Sequence, residues 1–264
     1  MINVKDLAIT FGRGTPLETA ALRGIDLTIP TGQFITVIGS NGAGKSTFLN
    51  SLAGELIPDF GSIHIDEEDV TYLHTEQRAR LVARVFQDPM AGTCEHLTIE
   101  ENLALAIMRG KRRGLGAAIK EIWRERFYHE LIRLNLGLEK RLNDKMGLLS
   151  GGQRQAISLL MATLEPMKIL LLDEHTAALD PKTANFVLNL TQQIIEERKL
   201  TALMVTHSMR QALDVGERTI MLHEGRIAFD VAGKDRVGLE VKDLLALFEK
   251  CKGEALSDDS LLLS

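Results

Sequence analysis

The nine residues from 39 to 47 constrain the fold of this chain most. They read Gly39, Ser40, Asn41, Gly42, Ala43, Gly44, Lys45, Ser46 and Thr47, and they match the pattern G-x-x-x-x-G-K-[ST]. An apolar run at 34–38 precedes them and a helical pattern follows, which is the context that a phosphate-binding loop requires. The glycines let backbone N–H groups surround phosphate oxygens, and the helix presents its positive end to the anion. The segment predicts an ATP site, with Lys45 on the β and γ phosphates and the Ser46 hydroxyl on Mg²⁺.

Several short runs share the character of residues 34–38. They are rich in β-branched and aliphatic residues and lie at 82–86, 169–172 and 201–206. Because they are apolar on both alternations rather than at every second residue only, they indicate strands that are covered on both faces, as in a parallel sheet. Helical patterns lie between most of them, so the sequence predicts an α/β core.

The first part of the chain has a different pattern. Residues 4–11, 22–29 and 62–65 alternate between apolar and polar and are separated by Gly, Pro and Thr turns. This alternation predicts an antiparallel sheet beside the core. Residues 219–229 predict a hairpin that turns at Glu224 and Gly225.

A helical segment interrupts the strands. From about residue 88 to 163 helical periodicity dominates, with predicted helices at 99–108 and 117–136. We therefore predict one domain over 1–264, in which 1–87 and 164–250 form the nucleotide-binding core with the β subdomain. Residues 88–163 form an inserted α-helical subdomain, and 251–264 form a tail. The acidic, then leucine-rich end of this tail is either a frayed terminus or a docking strip.

Composition limits the partners. No apolar run approaches the roughly 20 residues that cross a bilayer, and the start lacks a signal-peptide pattern, so we expect a cytoplasmic chain. The formal net charge of −5 argues against nucleic-acid binding. The basic run RGKRRG, which contains Arg109, Lys111, Arg112 and Arg113, is either a solvated helix end or a contact for a partner or anionic lipid. Cys94 and Cys251 belong to no C-x-x-C motif and are expected to act as small hydrophobic residues.

Two adjacent carboxylates follow the apolar run at 169–172. Asp173 at the end of a buried strand would lie near the metal, with a water molecule between them, and Glu174 would polarise an attacking water. Taken alone the pair could be an ordinary acidic junction between strand and loop. The phosphate-binding loop in the same chain favours the catalytic interpretation.

The segment Leu149 to Gln153 has the small residues of a second phosphate cradle. Ser150 followed three residues later by Gln153 can cap a helix whose N-terminus then points at a phosphate, although the same residues could simply start a helix. The order of 39–47, Gln87, 149–153, Asp173 with Glu174, Asp180 and His207 resembles the ATP-binding subunit of an ABC (ATP-binding cassette) transporter over nearly the whole chain. The resemblance implies a P-loop NTPase core of the RecA-like kind.

The resemblance also implies why one chain carries two cradles. In the family two subunits face head to tail. The signature segment of one subunit, which corresponds to residues 149–153 here, covers the ATP held by the other. The residues that would contact the γ-phosphate on the partner are Ser150, Gly151, Gly152 and Gln153.

Further roles are implied by the resemblance for four residues. Gln87 would meet Mg²⁺ and the attacking water, and His207 would hold the γ-phosphate and orient Glu174. Asp180 matches the loop that crosses the dimer interface, although Asp before Pro is also an ordinary helix cap. Phe11 lies where the family stacks an aromatic ring on adenine, and the alternative is a core phenylalanine.

The sequence departs from the family pattern at three positions. Ala156 and Met161 stand where arginine is frequent, which affects the salt bridges expected there but not the phosphate contact, and His175 stands where proline is common. The sequence of residues 173–181 resembles that of a branch of bacterial importers linked to amino acids such as tryptophan.

The implied function is ATP hydrolysis that energises an ABC importer, with amino acids as the expected cargo. The implied partners are a second copy of the chain, integral membrane permease subunits on whose cytoplasmic side it sits, and an extracytoplasmic substrate-binding protein. The alternatives are an exporter or lipoprotein-release ATPase, whose motifs are nearly the same, and a non-transport ABC ATPase.

Overall fold

A computed structural model describes residues 1–111, 119 and 121–252. The helices are α1 (Lys45–Ala53), α2 (Thr75–Arg78), α3 (Ile99–Ile107), α4 (Glu121–Arg133), α5 (Gly151–Thr163), α6 (Pro181–Arg198), α7 (Met209–Asp214) and α8 (Val241–Lys252). The strands are β1 (Ile2–Phe11), β2 (Thr19–Ile29), β3 (Phe34–Ile38), β4 (Phe60–Ile65), β5 (Glu68–Asp69), β6 (Val82–Val85), β7 (Ile169–Asp173), β8 (Ala202–Val205), β9 (Arg218–His223) and β10 (Arg226–Ala232).

The larger sheet confirms the predicted α/β core. Its six strands run in the order β10-β9-β3-β8-β7-β6, and every pair is parallel except β9 with β10. Alternate residues of β7 enter different cores: Ile169 and Leu171 face the layer that contains α1, whereas Leu170 and Leu172 face the layer that contains α5. Both faces are therefore covered, which explains the uninterrupted apolar runs.

The predicted antiparallel sheet is also present. It has the strand order β2-β1-β4-β5, and its strands extend the predicted segments by a few residues. One face packs on α1, so that Phe48 and Leu49 are buried between the two sheets. The predicted hairpin at the other end of the chain is β9 and β10, which turn at Glu224 and Gly225.

Helices occupy the described chain between β6 and β7. The predicted helix at 99–108 is α3, which starts at a capping box formed by Thr98 and Glu101. The helix predicted over 117–136 is α4, which is observed over Glu121–Arg133; residues 117, 118 and 120 lie outside the described residues. An ion pair joins these two helices: half-exposed Arg124 donates to both carboxylate oxygens of buried Glu100 at 2.5 and 2.9 Å.

Three arginines hold the C-terminus of α5. Arg109, Arg126 and Arg198 come from three different segments and donate to the carbonyl oxygens of residues 162, 164 and 163 respectively. Positive charge at this end of a helix opposes the partial negative charge of its dipole. The three contacts fix α5 against α4 of the insert and against α6 of the core.

Part of the basic run is therefore structural. Arg109 donates to two carbonyl groups and Lys111 pairs with Glu165 at 2.5 Å, so neither the solvated helix end nor the partner contact describes Arg109. Arg112 and Arg113 lie outside the described residues, as does the tail segment 254–264. Cys94 is a free cysteine and is exposed. No helix within 1–111 or 121–252 is long and apolar enough to cross a membrane.

Arg78 is the largest fully buried side chain of the described residues, and it caps the helix that follows the phosphate-binding loop. It donates to the carbonyl oxygens of Ser51 at 2.6 Å and Leu52 at 3.0 Å, in the last turn of α1. Two further bonds reach the carbonyl oxygens of Thr71 and Leu73. Burial lowers its pKa to about 10, which still leaves it charged at neutral pH.

We expect Arg78→Met to lower the free energy of unfolding by roughly 3 kcal/mol, because four buried carbonyl groups lose their donor. The measurement is urea unfolding followed by circular dichroism. Arg80→Met is the matched control, because Arg80 is exposed and pairs only with Glu68 at the surface; it should change stability by less than about 1 kcal/mol. Equal losses in both variants would contradict the capping role.

His175 predicts a pH dependence of stability. Its ring is buried, Nε2 lies 2.9 Å from Thr191 Oγ1, and burial lowers its pKa from 6.5 to about 4. Between pH 6.5 and 4 the unfolded state therefore binds a proton at His175 that the folded state does not bind. The free energy of unfolding falls as the pH drops from 6.5 towards 4. The cost reaches about 3 kcal/mol by pH 4. Unfolding curves between pH 7 and 4 should show this loss in the natural chain and a smaller one in His175→Gln; parallel curves would refute it.

Candidate nucleotide-binding site

The loop between β3 and α1 needs glycine at defined positions. Gly39 has a φ of 150°, and a Cβ there would lie 2.2 Å from the carbonyl oxygen of Leu222. Gly44 has a φ of 102°, and a Cβ there would lie 2.7 Å from the carbonyl oxygen of Ala21. Both positions exclude other residues by strain and by contact. The loop is thus held between β2 and the end of β9, with its backbone at the N-terminus of α1.

Lys45 is folded back onto this loop. Its Nζ donates to the carbonyl oxygens of Gly39 at 2.7 Å and Ser40 at 3.0 Å, and the side chain is buried. Burial lowers the pKa of the ammonium group, and the charges of Glu174 and Asp173 oppose that shift. A phosphate would replace two neutral carbonyl partners with an anionic one, so the geometry favours anion binding.

The cleft in front of the loop has a volume of about 670 Å³. It brings together predicted site residues from four segments of the chain: Asn41, Gly42, Ala43, Gly44, Lys45, Ser46, Thr47, Gln87, Glu174 and His207. The last three follow β6, β7 and β8, whose carboxyl ends meet at the same edge of the parallel sheet. This edge is where α/β sheets bind their ligands.

Glu174 and His207 form a close pair. Nε2 of His207 lies 2.6 Å from Oε2 of Glu174, and the glutamate side chain is 9% exposed whereas the histidine is 43% exposed. Glu174 has a φ of 45°, a left-handed conformation that is uncommon outside glycine. Its backbone N–H donates to the carbonyl oxygen of Val205 at 3.0 Å, which fixes the turn. The structure thus shows the contact between these two side chains that the sequence predicted.

The donors available for a divalent cation are few. Among residues 1–111 and 121–252, no group of three or more His, Cys, Asp or Glu side chains could hold a metal on its own. Ser46 and Gln87 line the cleft, and Asp173 ends the neighbouring strand β7. These are hard oxygen donors, and Mg²⁺ is commonly bound by one carboxylate together with phosphate oxygens and water. The donor set therefore fits Mg²⁺ that arrives with a nucleotide.

The signature segment caps α5 as predicted. The N–H of Gln153 donates to Ser150 Oγ at 3.3 Å, and the N–H of Ser150 donates to Gln153 Oε1 at 3.2 Å. Ser150 is exposed, and the preceding Leu148 is 71% exposed. Gly152 is required by packing, because a Cβ there would lie 2.1 Å from Thr183 Cγ2 of α6.

Some predicted residues lie outside this cleft. Among the described residues that line it, Ser150, Gly151, Gly152 and Gln153 do not occur, and neither does Asp180. Asp180 instead caps α6, where its Oδ1 accepts from the N–H of Thr183 at 3.1 Å, so the helix-cap interpretation is confirmed.

Phe11 is exposed, and five further residues line the cleft. Phe11 is 44% exposed at the end of β1, so the alternative of a core phenylalanine was wrong, while the contact with adenine remains a prediction. Five residues of the lining were not predicted as site residues, and they are Thr19, Ala20, Ala21, Arg23 and Glu224. They reach the cleft because the turn at Gly225 bonds to both Ala43 and Arg23. No local pattern signals a contact between two sheets.

Comparisons with known proteins agree with this geometry. A model of the family described as ABC transporter matches residues 22–177. The chain is 43% identical to a tyrosine transport ATP-binding protein of Clostridioides difficile (strain R20291), with 94% of this chain and 99% of that protein covered. It is 33% identical to the energy-coupling factor transporter ATP-binding protein EcfA2 of Acetivibrio thermocellus, over 100% and 95% of the two chains.

A solved structure shares both fold and sequence. The dimeric, post-hydrolysis state of the ATP-binding cassette MJ0796, bound to ADP and Pi, superposes with a TM-score of 0.74 at 32% identity, over 88% of this chain and 98% of that one. The family match covers more than half of the chain, and the relatives extend it to nearly the full length. The chain therefore belongs to the ABC transporter family, as an ATP-binding subunit that hydrolyses ATP to power transport.

Proposed function

We propose that two copies of the chain enclose two Mg·ATP molecules head to tail, and that each active site takes residues from both copies. The observation that carries this proposal is the separation of the two cradles within one chain. Lys45, Glu174 and His207 line one cleft, whereas the exposed Ser150 at the start of α5 is absent from the described lining. A helix N-terminus is an anion site, and here residues 150–153 are not among the described residues that line the chain's own cleft.

Within one such site the chain's residues act mainly by position and charge. Lys45 and the backbone N–H groups of 40–47 bind the phosphates, and Phe11 stacks on the base. Glu174, oriented by His207, accepts a proton from the attacking water, while Gln87 helps to position that water. Ser46, Gln87 and Asp173 hold Mg²⁺, directly or through water. The cation, when bound, neutralises charge on the transferred phosphoryl group.

The partner's signature segment completes the site. Ser150, Gly151, Gly152 and Gln153 supply a hydroxyl group and backbone N–H groups to the γ-phosphate of the other copy. Asp180 lies on the loop before α6 and contacts the partner beside the signature. Preorganised donors aimed at developing negative charge contribute strongly to such reactions because they need little reorganisation.

A second cavity, on the other side of β6, is suited to a membrane subunit. This groove has a volume of about 730 Å³ and runs between the core and the helical insert. It is lined by residues that include Phe86, Cys94, Asn102, Leu105 and Met161. Since Phe86 precedes Gln87, a permease seated here would contact the segment that enters the nucleotide cleft. We propose that the groove receives the permease and places the chain on the cytoplasmic face of the membrane.

Import is the direction we propose. The relatives are named for tyrosine transport, for an energy-coupling factor transporter and, at 37% identity over 78% of this chain, for thiamine import. The highest of these identities favours an aromatic amino acid as the cargo, delivered by an extracytoplasmic binding protein. Substrate contacts would lie on those other chains.

We expect Glu174→Gln to bind Mg·ATP normally and to lower the rate of ATP hydrolysis by roughly 10²- to 10⁴-fold, the ordinary contribution of a positioned base. The unreacted nucleotide should then accumulate in a dimer, which size-exclusion chromatography with saturating ATP detects. Glu196→Gln, on the exposed side of α6, is the control and should remain as active as the natural chain. A variant that hydrolyses ATP at the natural rate would remove Glu174 from the mechanism.

The shared site itself is tested by mixing inactive subunits. Lys45→Met inactivates the cleft of one copy, and Ser150→Phe inactivates the signature segment of the other copy. In a mixed dimer of the two variants, one site therefore combines an intact cleft with an intact signature segment. We expect up to about half of the natural turnover to return, since one of two sites is restored. Lys45→Met mixed with Glu174→Gln should restore nothing, because Lys45 and Glu174 line the same cleft. Recovery in both mixtures, or in neither, contradicts the proposal.

A further inference from the structure

Arg84 is a buried cation that no step above uses. It lies on β6, the edge strand of the parallel sheet, and its side chain is 12% exposed. Its Nη2 donates to Asp173 Oδ2 at 2.6 Å, and its Nη1 donates to Glu55 Oε1 at 2.7 Å and Asn50 Oδ1 at 2.8 Å. The guanidinium carbon lies 4.8 Å from the centre of the Phe86 ring. One guanidinium group thus bridges two carboxylates that belong to different elements.

The two carboxylates lie near different cavities. Asp173 ends β7 and directly precedes Glu174, which lines the nucleotide cleft, and it is the carboxylate proposed for Mg²⁺. Glu55 follows α1 and lines the groove on the other side of β6, together with Arg84 and Phe86. Arg84 is therefore positioned between the groove and the metal site, and its ion pairs reach into both.

The bridge has an electrostatic consequence. A guanidinium group that neutralises Asp173 opposes the binding of a divalent cation at the same carboxylate. Glu55 shares the same guanidinium and so reduces its effect on Asp173. The pair of Arg84 with Asp173 is largely removed from water, so salt screens it less than the pair with Glu55, whose side chain is exposed. If a group entered the groove and bound Glu55, Arg84 would keep Asp173 as its carboxylate partner and would neutralise it more fully.

We propose that Arg84 is a positioning residue that sets the Mg²⁺ affinity of the nucleotide site through Asp173, and that Glu55 links this affinity to occupation of the groove. The inference rests on the metal site of the proposed function and adds a route between the two cavities. Linkage is reciprocal, so Mg²⁺ binding at Asp173 also changes how strongly Glu55 is held at the groove.

The test is a double-mutant cycle on Mg²⁺ affinity rather than on hydrolysis. Mg²⁺ is titrated into each full-length variant with a fluorescent ATP analogue, and the analogue's affinity without metal is measured alongside. We expect Glu55→Gln to weaken Mg²⁺ binding about fivefold or more, at the lower end of ordinary coupling between sites. Arg84→Met should strengthen it, and Glu55→Gln should change it less than about twofold when Arg84 is Met.

Two further variants separate a specific link from general effects. Glu76→Gln removes another acidic residue of the groove lining and should leave Mg²⁺ affinity unchanged. Arg84→Lys keeps the charge in case Arg84→Met fails to fold, and a single ammonium group should lose most of the coupling to Glu55 because it has no fork to span both carboxylates. Circular dichroism verifies folding of each variant.

The outcomes are distinct. Weaker Mg²⁺ binding in Arg84→Met, or an equal effect of Glu55→Gln with and without Arg84, overturns the proposal. If Mg²⁺ has no effect on nucleotide binding in the natural chain, the proposed metal site fails before Arg84 is tested. A Mg²⁺ effect in the natural chain with no coupling in the cycle removes only the role of Arg84.

Discussion

The common edge of the parallel sheet is the constraint on which the rest of this structure depends. The phosphate-binding loop leaves β3, Glu174 leaves β7 and His207 leaves β8, and these three strands are direct neighbours in the sheet. Parallel strands end at the same edge, so residues more than 160 positions apart in the chain lie in one cleft. Hydrogen bonds between strands thus bring together residues that are too far apart in sequence to contact each other within one helix or strand.

Residues near strand ends were predictable because their signals are local. The loop at 39–47, the acidic pair and the Ser150 cap each depend on a few consecutive residues, and the apolar runs placed them on strands or helices. Arg23 and Glu224 enter the same cleft through packing between two sheets, which has no sequence period. Arg84 is one polar residue in an otherwise apolar strand, and its charge is tolerated there because Asp173 of β7 and Glu55 after α1 both pair with it.

Positively charged side chains stabilise the buried C-terminus of helix α5. Helix α5 begins at exposed Ser150 and ends deep in the molecule, where three arginines bind its last carbonyl groups. Ala156 is fully buried, so the arginine that is frequent there in the family would have to place its charge inside the core. The orientation of α5 is instead fixed at its C-terminus, away from phosphate.

One side-chain contact ties the insert to the core near the cleft. Gln155 of α5 is buried and donates to the carbonyl oxygen of Phe86 at 3.0 Å, and the Phe86 ring in turn lies beside Arg84. A rotation of α5 would pull on the backbone just before Gln87, whereas a change in the groove would act on Arg84 and Asp173. Phe86 therefore contacts the signature helix through its carbonyl oxygen and Arg84 through its ring, and it lines the groove.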